Sequence, residues 1–264
     1  MTRPLKLSIV VPSFNHAEYI QATLESLFNQ RNVAQHELEV IVIDGGSSDH
    51  TVSILRHWDS KIAYWVSEAD RGQTDALIKG FARCTGQILG WLCSDDLLEP
   101  WAVREALDHF RAHPQTEFLY GDAIWISRTG SYLRPKKEIP FNWFIWLNDH
   151  NYIPQPAAFW TRNLYQRTGG LDASFALAMD GDLFARFAQH TRPVHVHRQW
   201  AQLRSYPEQK NQRLRAQSDR EDRMIRERMG MSFTNPLAVR LRYYAAKAWR
   251  VGWKLSLGAY RSQT

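Results

Sequence analysis

Four short runs of β-branched and apolar residues, Leu7 to Pro12, Leu38 to Ile43, Ile62 to Val66 and Ile88 to Cys93, alternate with segments of helical periodicity. Those segments are roughly Ala17 to Asn29, Asp49 to Trp58 and Gln73 to Arg83. Strands separated by helices return in the same direction, so the pattern predicts an α/β fold with a mostly parallel central sheet and right-handed crossovers. A fourth helical segment, Trp101 to Ala112, precedes a fifth strand, Phe118 to Ile126. From about Ser127 the regularity gives way to loops, an aromatic run from Phe141 to Leu147 and two or three later helical segments. No Pro/Gly/Ser-rich stretch separates the two parts, so the boundary near residue 126 reads as functional and not as a linker. A chain of 264 residues with 44% hydrophobic content can bury a large core without disulfides.

Two cysteines, Cys84 and Cys93, are too few for a disulfide framework and lack a zinc-binding spacing, which suits reduced thiols in a cytosolic protein. Met1 to Lys6 does not resemble a signal peptide, and Pro12 stops the first apolar run far short of the roughly 18 residues that span a bilayer. Charge is uneven. Beyond Glu227 no acidic residue occurs, whereas Arg228, Arg240, Arg242, Lys247, Arg250, Lys254 and Arg261 supply seven positive charges against a net charge of +6. On a helix starting near Pro236, Leu237, Leu241, Tyr244, Ala248, Val251 and Leu255 form one stripe, flanked by Arg240, Lys247, Arg250 and Lys254. Two readings stand: a helix lying on an anionic membrane surface, and a terminal helix packed on its own domain. No recognition motif accompanies the charge, which argues against nucleic acid.

In α/β sheets ligands bind where parallel strands end. The strand from Ile88 ends in Trp91-Leu-Cys-Ser-Asp-Asp96, and adjacent carboxylates Asp95 and Asp96 suit a hard divalent cation with phosphate oxygens as its other partners. The same Ser-Asp-Asp pattern also serves as a helix N-cap for the segment opening at Pro100. The other strand tips are Pro12-Ser13-Phe14-Asn15, Asp44-Gly45-Gly46 and Asp70-Arg71-Gly72-Gln73. Asp44 can accept hydrogen bonds from a base or ribose, or simply organise its turn, with Asp49 as an N-cap. Arg71 has the chemistry to meet a diphosphate, as do many surface arginines that meet none.

Six segments, in order, resemble family 2 glycosyltransferases with the GT-A (Rossmann-like) fold. They are Ser8 to Asn15, Glu39 to Thr51, Asp70 to Ala76, Trp91 to Asp96, Gln155 to Trp160 and Gly169 to Leu183. The resemblance covers about residues 6 to 210. It implies a nucleotide-sugar-binding half (1–126), an acceptor-binding and catalytic half (127–230) and, outside the match, a basic amphipathic tail (231–264). Pro12, Ser13, Asn15, Asp44, Arg71, Gly72, Gln73, Ser94 and Asp95 would contact a UDP-, GDP- or dTDP-sugar, and Asp96 would ligate Mn2+ or Mg2+. The family often has a carboxylate where this chain has Cys93. The general base falls on Asp180, with Asp182 as an alternative base or acceptor contact beside Gln155 and Trp160. Arg204 and Lys210 would meet phosphate.

The implied activity is inverting transfer of a sugar to a saccharide hydroxyl. If the tail binds lipid, the acceptor is polyprenyl-diphosphate-linked and the enzyme works in surface-polysaccharide assembly, cytoplasmic and peripheral to the inner leaflet. Trp143, Phe144, Trp146 and Trp160 offer either sugar-stacking faces or core. A non-catalytic nucleotide-sugar or membrane-surface binding module is the competing expectation. A nucleotidyltransferase fits less well, because the first loop has no phosphate-gripping signature.

Overall fold

The computed structural model describes residues 5–259. In chain order the elements are β1 (Leu7–Ser13), α1 (Ala17–Phe28), β2 (Leu38–Asp44), α2 (Thr51–His57), β3 (Tyr64–Ser67), α3 (Gln73–Arg83), β4 (Ile88–Trp91), β5 (Leu97–Leu98), α4 (Ala102–Ala112) and β6 (Phe118–Ile126). There follow β7 (Tyr132–Lys136), α5 (Trp143–Asn148), β8 (Ala158–Thr161), α6 (Arg162–Arg167), α7 (Met179–His190), β9 (Val194–Arg204), α8 (Lys210–Arg213), α9 (Arg215–Arg228) and α10 (Pro236–Ser256).

All strands join one sheet in the order β3-β2-β1-β4-β8-β6-β9-β5, with β7 added to β6. The first four strands are mutually parallel, as the alternation predicts. The sheet as a whole is mixed. β8 runs antiparallel to both β4 and β6, β7 is antiparallel to β6, β9 is parallel to β6, and β5 is antiparallel to β9. These later strands were not legible as alternation, because β8 enters through a 3-10 turn at Gln155–Ala157 and β9 is a polar run, Val-His-Val-His-Arg-Gln.

Every residue of β1 is buried, as expected of a strand covered on both faces. Val10 packs with Ile41, Ile43, Leu77 and, further along, the aromatic residues around Trp160. Leu7, Ile9 and Val11 pack on the other face with α1 and α4. Close approach of α3 needs a glycine: a Cβ on Gly80 would lie 2.3 Å from Val10 Cγ1. The first two helices are started by one carboxylate. Asp49 accepts from the N–H groups of Ala17 and Thr51 at their N-termini, 3.0 and 2.9 Å away.

Helix α10 spans the predicted segment and packs against α5. Its orientation is set by charge. Lys254, buried, lies 2.6 Å from Glu138, and Arg250 donates to Asp149 at 2.6 Å, while Trp253 joins the core. The inward face is therefore the one with the buried ion pairs, and Leu237, Leu241, Tyr244 and Leu255 of the apolar stripe face solvent. Arg261 lies outside the described residues. Glu138 is shared with Lys136 at 3.0 Å, and these two lysines outweigh the burial that disfavours its charge. Lys254→Ala removes one of two compensating charges, so it is expected to cost about 1–3 kcal/mol in denaturant unfolding and to expose the end of α10 to protease.

Candidate active site

The tips of β1 to β4 meet at one edge and are fixed by their own hydrogen bonds. Gly45 N–H donates to Ser13 carbonyl at 2.8 Å, and Glu68 N–H to Asp44 carbonyl at 3.0 Å. Asp44 is fully buried, and its oxygens accept from Ser47 N–H, Ser47 Oγ and Ser67 Oγ at 2.8, 2.5 and 2.6 Å. Its role here is to close the β2 loop. Asn15, with φ of 52°, accepts from Ser48 N–H at 2.9 Å. Pro12 is buried, and Ser13 is buried with an Oγ that has no partner. Arg71 is turned to solvent and paired with Asp75 at 2.8 Å. Gly72, with φ of 107°, opens α3, and Gln73 Nε2 lies 3.3 Å from Cys93 Sγ.

Asp95 and Asp96 are each buried, and the chain beyond β9 comes back to hold them. Arg204 N–H donates to Asp96 Oδ1 at 2.8 Å, and Tyr206 Oη donates to Asp95 Oδ2 at 2.8 Å. From the other side Thr23 of α1 donates to the carbonyls of Ser94 and Asp96, both at 2.9 Å, and His16 Nδ1 pairs with Ser94 Oγ at 2.6 Å. Burial and the neighbouring Asp95 charge hold Asp96 well above the usual carboxylate range. That is the condition a divalent cation relieves.

Ligand atoms of Cys93, Asp95 and Asp96 lie within 4.8 Å of one another. An oxygen-preferring ion fits the two carboxylates. Cys93 is a poor ligand for it, because burial and the charges of Asp96, Asp95 and Asp180 keep the thiol protonated. A second group, Asp122, His195 and His197, sits mid-strand on β6 and β9, where His195 Nε2 is already bonded to Asp122 at 2.8 Å.

Asp180 stands in the first turn of α7, half-buried, with Asn151 Nδ2 donating to Oδ2 at 3.1 Å. Burial pushes its carboxyl up to about 6, against the pull of the Gly181 N–H and its own. Its charge is among those that raise the Cys93 thiol, the residue just before Ser94 and the carboxylate pair. Glu221 of α9 orients this turn by accepting from the N–H groups of Ala176, Leu177 and Ala178 at 2.8–3.2 Å. Asn151 and Glu221 were not singled out from sequence, since each acts through a contact more than 25 residues away in the chain.

Other expected residues stand elsewhere. Asp182 is buried and paired with Arg186 at 2.5 Å, which ties it to the helix and leaves it ill placed to take a proton from an acceptor. Trp160 is wholly enclosed by Phe81, Trp91, Phe184 and Phe187 and presents no face to a sugar. Trp146 is also core, whereas Phe144 is exposed against Trp249. Gln155 Nε2 donates to Trp91 carbonyl at 2.8 Å, bracing the β4 tip. Buried Arg204 spends Nε and Nη1 on the carbonyls of Asp95, Ser127 and Arg128 at 2.7–3.2 Å, so it shapes the loop. Lys210 is exposed and donates to the Ala176 carbonyl at 2.9 Å, on the segment leading into α7.

Residues 8–164, more than half of the chain, match the family described as Glycosyl transferase family 2. The chain is a family 2 glycosyltransferase. It is 32% identical over 197 residues to an uncharacterized glycosyltransferase of Mycobacterium tuberculosis, covering 74% of each chain. It is 29% identical over 188 residues to an Escherichia coli chondroitin synthase, spanning 69% of this chain and 26% of that one. The glycosyltransferase also shares its fold with a Pyrobaculum calidifontis mannosyltransferase solved with GDP-Man and Mn2+, at a TM-score of 0.66 and 18% identity over 99% of this chain and 77% of that one. It likewise matches Staphylococcus aureus TarS solved with UDP-GlcNAc, at a TM-score of 0.65 and 17% identity over 80% and 61% of the two chains. No helix among the described residues is long and apolar enough to cross a membrane.

For Asp180 to take a proton it must first be deprotonated, so if it serves as general base, turnover of this glycosyltransferase should rise with pH through a midpoint of about 6 and then level off. Asp180→Asn should lower turnover by about 10²–10⁴-fold and abolish that rise, measured as nucleoside-diphosphate release against pH.

Proposed function

We propose that this chain moves a sugar, with inversion, from a nucleoside-diphosphate sugar to a hydroxyl of a saccharide acceptor. The observation that supports this best is the placing of Asp180, a base with a midpoint near neutrality, in the same cleft as the Asp95–Asp96 pair. The donor, a UDP-, GDP- or dTDP-sugar, would lie across the tips of β1 to β4, its base bordered by Pro12, Ser13 and Asn15. Its sugar would face Gly72, Gln73 and Ser94, and its diphosphate would reach toward Asp95, Asp96 and Lys210. Asp96 would ligate Mn2+ or Mg2+, which when bound neutralises charge growing on the leaving diphosphate. Asp180 takes the proton of the attacking acceptor hydroxyl while Asn151 holds its other oxygen in place. One in-line displacement gives inversion.

The acceptor in this reading is polyprenyl-diphosphate-linked, and the enzyme works in surface-polysaccharide assembly, cytoplasmic and resting on the anionic inner leaflet. Support comes from α10, whose stripe of Leu237, Leu241, Tyr244 and Leu255 faces solvent beside Arg240 and Lys247.

Release of nucleoside diphosphate from UDP-, GDP- and dTDP-sugars, with Mn2+, Mg2+ or EDTA, tests the reading. One donor should be consumed slowly even without acceptor, with the signal lost in EDTA and in Asp96→Ala. A donor that binds by calorimetry yet is never consumed, with any lipid-linked saccharide supplied, would point instead to a binding module.

A further inference from the structure

Between α9 and α10 lies an open cavity of about 420 Å³, lined by Met231, Phe233, Val239 and Tyr243 together with Arg223 and Arg240. Its wall is apolar and its charge is positive. Arg223 lies over the Phe233 ring and pairs at the surface with Glu227, while Arg240 lies over Tyr244 and meets no carboxylate among the described residues. An apolar slot with guanidinium groups at its rim has the chemistry of a site for a phosphate that carries a hydrocarbon chain.

Position ties the cavity to the reaction. Asn148 lines it, and Asn151, three residues on, holds Asp180. Arg226 also lines it and braces the same turn through the carbonyls of Leu147 and Asp149, at 3.0 and 2.8 Å. Its neighbour Ile225 faces the other way, with Cδ1 3.8 Å from where a Cβ on Gly181 would stand. One wall, made by α9 and the turn at residues 148–151, thus has the general base on one side and the cavity on the other. Pro236, Val239 and Arg240 of α10 line the cavity, and their neighbours in sequence, Leu237 and Leu241, are exposed at the start of the α10 stripe.

We infer that this cavity seats the phosphate-bearing lipid end of the acceptor, a polyprenyl phosphate or diphosphate, while the saccharide reaches around the wall to Asp180. The inference rests on the lipid-linked acceptor proposed above. Arg240, and Arg223 once released from Glu227, meet the phosphate; the first isoprene units lie on Phe233, Val239 and Tyr243; and the rest of the chain leaves along α10 into the bilayer.

Flotation of the full chain with phosphatidylcholine vesicles, carrying either phosphatidylglycerol or polyprenyl phosphate at equal negative charge, tests it. Wild type should favour the polyprenyl phosphate vesicles by about tenfold or more. Arg240→Glu should lose that preference, Arg240→Lys should keep most of it, and both should release nucleoside diphosphate from donor alone at the wild-type rate. Farnesyl diphosphate should displace the protein, and inorganic diphosphate at the same concentration should not. Equal capture by the two vesicles, a preference that survives Arg240→Glu, or equal competition by inorganic diphosphate would each overturn the inference. Failure of the transferase reading would show separately, as absence of donor turnover in the wild type.

Discussion

Two adjacent carboxylates buried at a strand tip form the constraint around which the chain is arranged. Burying two adjacent carboxyl groups is costly unless hydrogen bonds or a counter-charge replace the water that would otherwise solvate them. The protein supplies part of that replacement from both ends of the fold. Thr23 fixes the loop backbone from α1, and the segment leaving β9 supplies Arg204 N–H and Tyr206 Oη. The guanidinium of Arg204 is laid across the carbonyls of Asp95, Ser127 and Arg128 and over the Tyr19 ring. Burial and the adjacent Asp95 raise the Asp96 carboxyl well above the usual carboxylate range. The loop is thus held in position by hydrogen bonds from both halves of the chain, with its two carboxyl groups side by side.

This explains why the second half of the chain is woven into the first. β8 inserts beside β4, β6 pairs with β8, and β9 pairs with β6, so the sheet carries Arg204 back to the β4 tip. Sequence periodicity could see β1, β2 and β4, which are buried and almost continuously apolar, and the short apolar or aromatic runs of β3 and β6. It could not see β9, whose residues from Val194 to Gln199 are mostly polar or half-exposed and are held by pairing with β6. The local motifs at the strand tips were legible because turn chemistry and ligand chemistry need the same short residues. Asn151 and Glu221 were not, because their partners, Asp180 and the N–H groups of residues 176–178, are brought to them only by tertiary packing.

Helix α10 shows how a correct pattern can carry an inverted orientation. Its apolar stripe was visible in sequence, and a helix packed on its own domain normally buries such a stripe. Here Glu138 and Asp149 reverse the outcome. Both carboxylates are nearly inaccessible, so the helix must bring Lys254 and Arg250 inward to meet them, and rotation about its axis then turns Leu237, Leu241 and Leu255 outward. Leaving three leucines in water sacrifices hydrophobic stabilisation that the opposite rotation would recover. That sacrifice is understandable if the stripe has an apolar partner outside the chain.

Cys93 completes the electrostatics of the cleft. A carboxylate at that position would add a third negative charge beside Asp95 and Asp96 and a further repulsion on Asp180, whose proton affinity is already raised by burial. A thiol held in its neutral form by the same surroundings avoids both. It keeps its contacts with Gln73 and Gln155, at 3.3 and 3.7 Å, and so preserves the packing between the α3 N-terminus and the β4 tip. Burial raises the Asp180 carboxyl to about 6, a value that suits the proton-accepting role proposed for it at neutral pH. The residue that departs from the common family pattern is in this sense matched to the proposed role of Asp180.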